Sequence, residues 1–275
     1  MTKIFPLIFI VLWSSAFITT KPIVDHSEPF SALAFRFFFV SLGFLIFSIY
    51  KNFSLVVSKS NLIQSLVSGV LFHGIYLGGV FYSVSVGMPT GIAALIVTLQ
   101  PILTNILAGP ILKEHVSYHQ WIGILLGFLG AVLVLGFDIG KNIPFDGVIA
   151  TIISLVSITS ATIWQKKISN NLPIETSNTY QAIGGCLFHI LIIVFFTKFQ
   201  INFSFTFIAA MSHQVLLVSF GAFTILMFLI RENSASKTTS FFFLIPSVSA
   251  LMAWLFLNEN LYLSLIHISE PTRRT

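Results

Sequence analysis

Apolar residues in this chain neither alternate nor keep to one helical stripe; they fill runs of about twenty residues separated by short polar breaks. A stripe would mark a helix on the surface of a soluble domain, whereas a run apolar on every side marks a helix surrounded by lipid. Lipid offers no hydrogen bonds, so each such run must satisfy its own backbone as an α-helix. The pattern predicts helices over residues 4–20, 30–50, 62–84, 91–112 and 119–137, then over 145–165, 177–197, 209–230 and 236–257. A tenth is expected to start near Leu261.

Two of these runs end alike. Pro101 and Glu114 bracket twelve mostly apolar residues, and so do Pro246 and Glu259. One shift of 145 positions superposes both pairs, and it also carries Lys21 onto Lys166 and Ser15-Ala16 onto Ser160-Ala161. The first five spans and the next four keep register under that shift. The chain therefore divides into a first repeat over 1–138 and a second over 139–265, with residues 266–275 set apart.

Loop charge gives the orientation. With the N-terminus in the cytoplasm, the inner loops carry Lys3, Lys51, Lys59, Lys113, Lys166, Lys167, Arg231 and Lys237, and the outer loops only Lys21, Lys141 and Lys198. Five helices per repeat is an odd number, so the second half is expected upside down relative to the first. The fold class read here is an all-α polytopic membrane protein of two inverted five-helix repeats, an architecture used by alternating-access transporters.

Composition narrows the classes further. Of 275 residues, 56% are hydrophobic and 8% charged, against about 25% charged in a soluble domain. The net charge of +5 is spread through the breaks between spans, which gives no nucleic-acid-binding patch. Cys186 is the single cysteine and reads as a buried structural thiol, so neither a disulfide framework nor a cysteine metal cluster is expected. No cofactor is expected. The segment 4–20 could mimic a signal peptide, but further spans follow it and it reads as the first membrane helix.

The residues also resemble a known family. Trp13–Phe17 (WSSAF), the arginine of ALAFRF at Arg36, the twin proline-to-glutamate segments, Asn233-Ser-Ala-Ser-Lys-Thr followed by FLIP, and QWIGILLGFLGAVLVLG after Glu114 are similar to the EamA family of the drug/metabolite transporter superfamily. No single motif decides this; the ordered set, reaching to about Leu265, carries it. The resemblance implies ten helices in two inverted halves, a central cavity, and movement of a small metabolite across the inner membrane.

Candidate solute-binding residues are Trp13, Arg36, His73, Tyr82, Gln100 and Trp164. Arg36 lies among phenylalanines, where an arginine is costly unless it snorkels, pairs or meets a cavity. Its planar fork suits a carboxylate or phosphate; the competing expectation is local pairing with Glu28 or Asp25. Trp13 is too deep for an interfacial belt, whereas Trp164 reads first as an anchor. His73 and Tyr82 are two and a half regular turns apart, so at most one faces a narrow cavity. Tyr82 falls at a position commonly aromatic in the family it resembles. Gln100 precedes Pro101, which frees a carbonyl one turn back. Pro101 and Pro246 are candidate kinks, and Glu114 and Glu259 candidate gating carboxylates, with Lys113 as one partner for Glu114. Gly123, Gly127, Gly130 and Ala131 form a small-residue face that favours tight packing and also admits a homodimer.

No Asp or Glu lies in the body of a span, which argues against a cation/proton antiporter built on an embedded carboxylate. A neutral, zwitterionic or anionic small molecule fits better. After Asn258-Glu259-Asn260 the apolar run LYLSLIHI covers about 12 Å as helix, against roughly 30 Å of hydrocarbon. The string SLIHISEPTRRT resembles translated sequencing-adaptor read-through, so the tenth helix is expected to be truncated and residues 266–275 non-native. Two alternatives stand beside the permease: a non-transporting fragment, and a membrane-embedded enzyme. The enzyme is disfavoured because the histidines are dispersed, with only His115 and His119 at helical spacing.

Overall fold

The computed structural model describes residues 4–135 and 143–257, and among these residues every regular element is a helix. Seven helices have the length and apolar composition to cross a bilayer. They are α1 (Phe5–Val24), α2 (Pro29–Tyr50), α3 (Lys59–Ser85), α4 (Thr90–Leu112), α6 (Phe145–Ile168), α7 (Ile174–Phe196) and α8 (Phe205–Glu232). Helix α5 (Tyr118–Leu135) and a last helical stretch, α9 (residues 235–257), complete the set. Each falls on one of the runs expected from the sequence. Glu259, the start of the tenth span and the tail 266–275 lie outside the described residues.

Local chemistry sets many of the boundaries. Ser58, Ser204 and Ser234 accept from the backbone N–H three residues on, which caps α3, α8 and α9. Glu28 does the same for α2, accepting from Ser31 N at 2.6 Å, with Pro29 set in the first turn. Helix α1 continues past its expected end at residue 20. It passes through Pro22, and Thr20 donates back to Ala16 O at 2.9 Å. Asp146 lies in the first turn of α6, exposed, where a carboxylate complements the helix dipole.

Four irregularities interrupt the helices. Helix α3 bonds i→i+5 over Val70–Tyr76, and α8 does so over Gln214–Ala222. Helix α4 breaks at Thr98 and Leu99, and α9 tightens into a 3₁₀ turn over Phe241–Leu244. Shifting Val70–Tyr76 by 145 lands within Gln214–Ala222, and residues 98 and 99 land on 243 and 244. The prolines account for the second pair. Pro101 has no N–H for the carbonyl of Val97, and Pro246 none for Phe242, so the backbone just before each proline leaves the α ladder.

Helix α7 packs along both α2 and α3, and α6 packs along α3 and α4. Helix α1 lies against α8 and α9. Close approach needs glycine at the α3–α7 crossing: a Cβ on Gly69 would stand 2.0 Å from Gln181 O, and one on Gly184 2.6 Å from Leu66 O. Large apolar side chains such as Phe39, Ile46, Leu126, Ile153 and Phe195 face outward, as lipid contact requires.

Candidate functional site

A narrow cavity lies between α1, α2, α3 and α8, with room of about 40 Å³ for the centres of water-sized molecules. At about 10–15 Å³ for each water, that is space for roughly three. Helix α1 supplies Trp13, Ala16, Phe17 and Thr20, and α2 supplies Arg36. Helices α3 and α8 each supply their π segment to the wall: Phe72, His73 and Tyr76 from one, Gln214, Val218 and Ser219 from the other. A π turn inserts extra backbone and re-aims the side chains around it, a device frequent at functional sites.

Arg36 is 3% exposed and pairs with neither Asp25 nor Glu28. Asp25 is taken by Lys21, the one ion pair among the described residues, and Glu28 is occupied at Ser31. Arg36 reaches across to α8 instead. Its Nε donates to Ser219 Oγ at 2.9 Å and its Nη1 to Gln214 Oε1, while the guanidinium lies 5.3 Å from the Phe37 ring centre. Gln214 is fixed in turn, its Nε2 donating to Ala16 O and Thr19 Oγ1, both at 2.9 Å. Both acceptors of the guanidinium are neutral, so its charge is hydrogen-bonded without being compensated.

His73 sits with its ring centre 4.4 Å from that of Phe37 and 4.4 Å from that of Phe223. Its backbone carbonyl faces His189 Nε2 at 2.9 Å. Trp13 packs its indole against Phe9 and Phe242, 5.2 and 5.6 Å between ring centres. Trp13, Arg36 and His73 thus meet at one cavity.

The other three candidates lie elsewhere. Tyr82 is half-buried, with its ring 6.5 Å from Phe30. Gln100 is buried between α4 and α6, with Nε2 donating to Thr162 Oγ1 at 3.0 Å and Oε1 unpaired. Trp164 donates from its indole to Gln64 O at 3.1 Å, which ties α6 to α3. The regular-helix spacing used for His73 and Tyr82 does not apply, because the π segment Val70–Tyr76 contains His73 and three of the residues that separate it from Tyr82.

Glu114 binds backbone rather than a loop cation: its oxygens accept from Ala235 N at 2.9 Å and Ser236 N at 3.3 Å, at the start of α9. Beside it, Ser236 Oγ donates to Asn105 Oδ1 on α4. Gly127 of the small-residue face meets Phe243, whereas Gly123 and Gly130 have no described neighbour within 4 Å. Cys186 is buried with Sγ 3.6 Å from Ala34 O.

Sequence reasoning passed over Gln214, Ser219, Thr20 and Tyr76. Gln214 left a signal, being an amide within the span 209–230, where an unpaired polar group is costly. Ser219 left none, since a serine in a membrane helix is as easily a packing residue.

Comparison with known proteins gives the family and the fold. The Bacillus subtilis uncharacterized transporter YvbV is 26% identical over 262 residues, 94% of this chain and 84% of its own length. A Salmonella typhimurium protein named "Probable amino-acid metabolite efflux pump" is 24% identical over 168 residues, 61% of this chain and 54% of that one. One solved crystal structure superposes with a TM-score of 0.79 over 96% of this chain and 91% of its own, at 16% identity, a likeness of fold alone. Residues 2–136 and 146–268 each match the EamA-like transporter family. With nearly its whole length covered by these two matches, the chain belongs to the EamA-like transporter family.

Proposed function

We propose that the chain is an inner-membrane permease for a small neutral, zwitterionic or anionic metabolite, working by alternating access between two inverted five-helix halves, with its N-terminus in the cytoplasm. The observation that carries this reading is the cavity itself, walled by α1, α2 and α3 on one side and α8 on the other. Arg36 joins the two sides through Gln214 and Ser219. Helices of different repeats can tilt against each other only if that junction parts, and a bound solute is the natural competitor for it. The register of the π segments and helix breaks under the 145 shift supports two related halves, and loop charge supports their orientation. Room for only a few waters fits an occluded state that must widen to admit a metabolite.

Counterflow in proteoliposomes tests the reading, with vesicles preloaded in turn with amino acids, purines, sugars and small organic acids. Accumulation of a labelled solute against its preloaded partner, absent from protein-free vesicles, is the expected result. No counterflow of any of them by correctly inserted protein would overturn it.

A further inference from the structure

We infer that the cavity recognises an apolar monocarboxylate: an organic acid with one ionised carboxylate, an aliphatic or aromatic body, and no ammonium group. This rests on the permease reading and narrows it to a substrate class.

Three features of the wall lead there. Arg36 is the only arginine, lysine, aspartate or glutamate lining the cavity among the described residues. A guanidinium has five N–H donors, and two are engaged, one by Ser219 and one by Gln214. Three donors and an uncompensated positive charge therefore remain at the wall, which suits one carboxylate. A phosphate dianion would bring a second negative charge for which no second cation stands ready.

Much of the rest of the wall is apolar. Trp13, Phe72, Phe81, Val218 and Phe223 line the cavity beside the neutral polar groups of Thr20, His73, Tyr76, Gln214 and Ser219. The apolar side chains gain by covering an apolar body.

An ammonium finds no counter-charge. No carboxylate lines the cavity among the described residues, Gln214 Oε1 is engaged by Arg36, and Thr20, His73 and Tyr76 offer only neutral groups. A zwitterion would satisfy its carboxylate and leave its other charge desolvated without a counter-charge, which selects against it.

α-Ketoisovalerate and valine share a carbon skeleton and differ by a keto group in place of the ammonium, so they separate the cases. Equilibrium dialysis of the purified full chain with labelled α-ketoisovalerate, competed by valine, by the amide of the same keto acid and by inorganic phosphate, reads recognition directly; counterflow in proteoliposomes reads transport. The expected result is competition by valine, amide and phosphate weaker by at least about tenfold than by unlabelled α-ketoisovalerate. Binding should fall by a similar factor in Arg36→Gln and be partly kept in Arg36→Lys. Should Arg36→Gln fail to fold, the wild-type competition order still decides. Equal or tighter binding of valine, the amide or phosphate overturns the inference, as does absence of α-ketoisovalerate binding or undiminished binding in folded Arg36→Gln. Counterflow of valine without α-ketoisovalerate binding would overturn the substrate class and leave the permease standing. Selective α-ketoisovalerate binding without counterflow of any solute would do the reverse.

Discussion

The guanidinium of Arg36 on α2 and the side-chain amide of Gln214 on α8 are hydrogen-bonded across 178 positions of sequence, at the point where α8 enters its π segment. Gln214 is held on its other side by Ala16 and Thr19 of α1, so one amide fixes the cation relative to three helices. Gln214→Leu keeps the approximate volume and removes every one of these bonds. Leaving a buried donor without its acceptor costs about 1–3 kcal/mol, and more where the donor is charged. The variant is expected to melt at lower temperature in detergent. Its transport should also fall, by roughly tenfold for each 1.4 kcal/mol lost in positioning Arg36. Thermal denaturation and counterflow on the same preparation measure the two effects, and an unchanged melting temperature would show that the amide does not hold the guanidinium.

Glu114 illustrates a role that sequence position obscured. It stands at the C-terminal end of α4, where a carboxylate opposes the helix dipole, yet its oxygens accept from the first N–H groups of α9. It thus caps a helix distant in sequence. Glu114→Ala should lower stability by about 0.5–2 kcal/mol, the usual value of an N-cap. Glu114→Gln, which keeps an acceptor, should lose less. Lys113→Ala should leave the melting temperature unchanged, since Glu114 is engaged with backbone; a loss equal to that of Glu114→Ala would restore the ion-pair view.

At the crossing of α3 and α7, Gly69 and Gly184 let backbone meet backbone. A methyl group at either position has no flexible side chain to push aside, because the nearest atoms are the carbonyls of Gln181 and Leu66. Gly69→Ala and Gly184→Ala should each destabilise by about 1–3 kcal/mol through overpacking. Gly123→Ala is the control: nothing among the described residues lies within 4 Å of the added methyl. It should be neutral, or more stable by about 0.5–1 kcal/mol, since alanine is the better helix former. Folded yield after detergent extraction and thermal melting check all three.

The helices and their order were legible because a bilayer forces each span to be long and apolar, leaving polar breaks between. Seryl caps at Ser58, Ser204 and Ser234 kept the boundaries within a few residues. The π segments were not legible, since i→i+5 bonding leaves no mark in a hydrophobic run. They nonetheless decide which residues reach the cavity. Arg36 announced itself by its cost in an apolar helix, and Gln214 left the fainter mark of an amide inside a span, but Ser219 left none. That the two are partners of Arg36 shows only once α8 is laid against α2. Gln100 looked like a binding residue for a sound reason, its place beside Pro101. That place turned out to face α6, where Thr162 takes its amide.

Pro101 and Pro246 each follow an interruption in a helix, at Thr98–Leu99 and at Phe241–Leu244. Each withholds an N–H from the carbonyl four residues back, and proline within a helix costs about 3 kcal/mol relative to alanine. Replacing either by alanine should let the α ladder close and stabilise the helix itself. The break does more than tolerate the proline, however. In α4 it puts Gln100 and Asn105 on the C-terminal piece, aimed at α6 and at Ser236 of α9. Straightening the helix would swing those contacts away. Pro101→Ala and Pro246→Ala are therefore expected to melt at the same or a higher temperature and yet to transport more slowly, with the double variant slower than either. Melting temperature and initial counterflow rate, measured together, separate this from simple damage: a variant that loses both in parallel would show that the prolines serve stability alone.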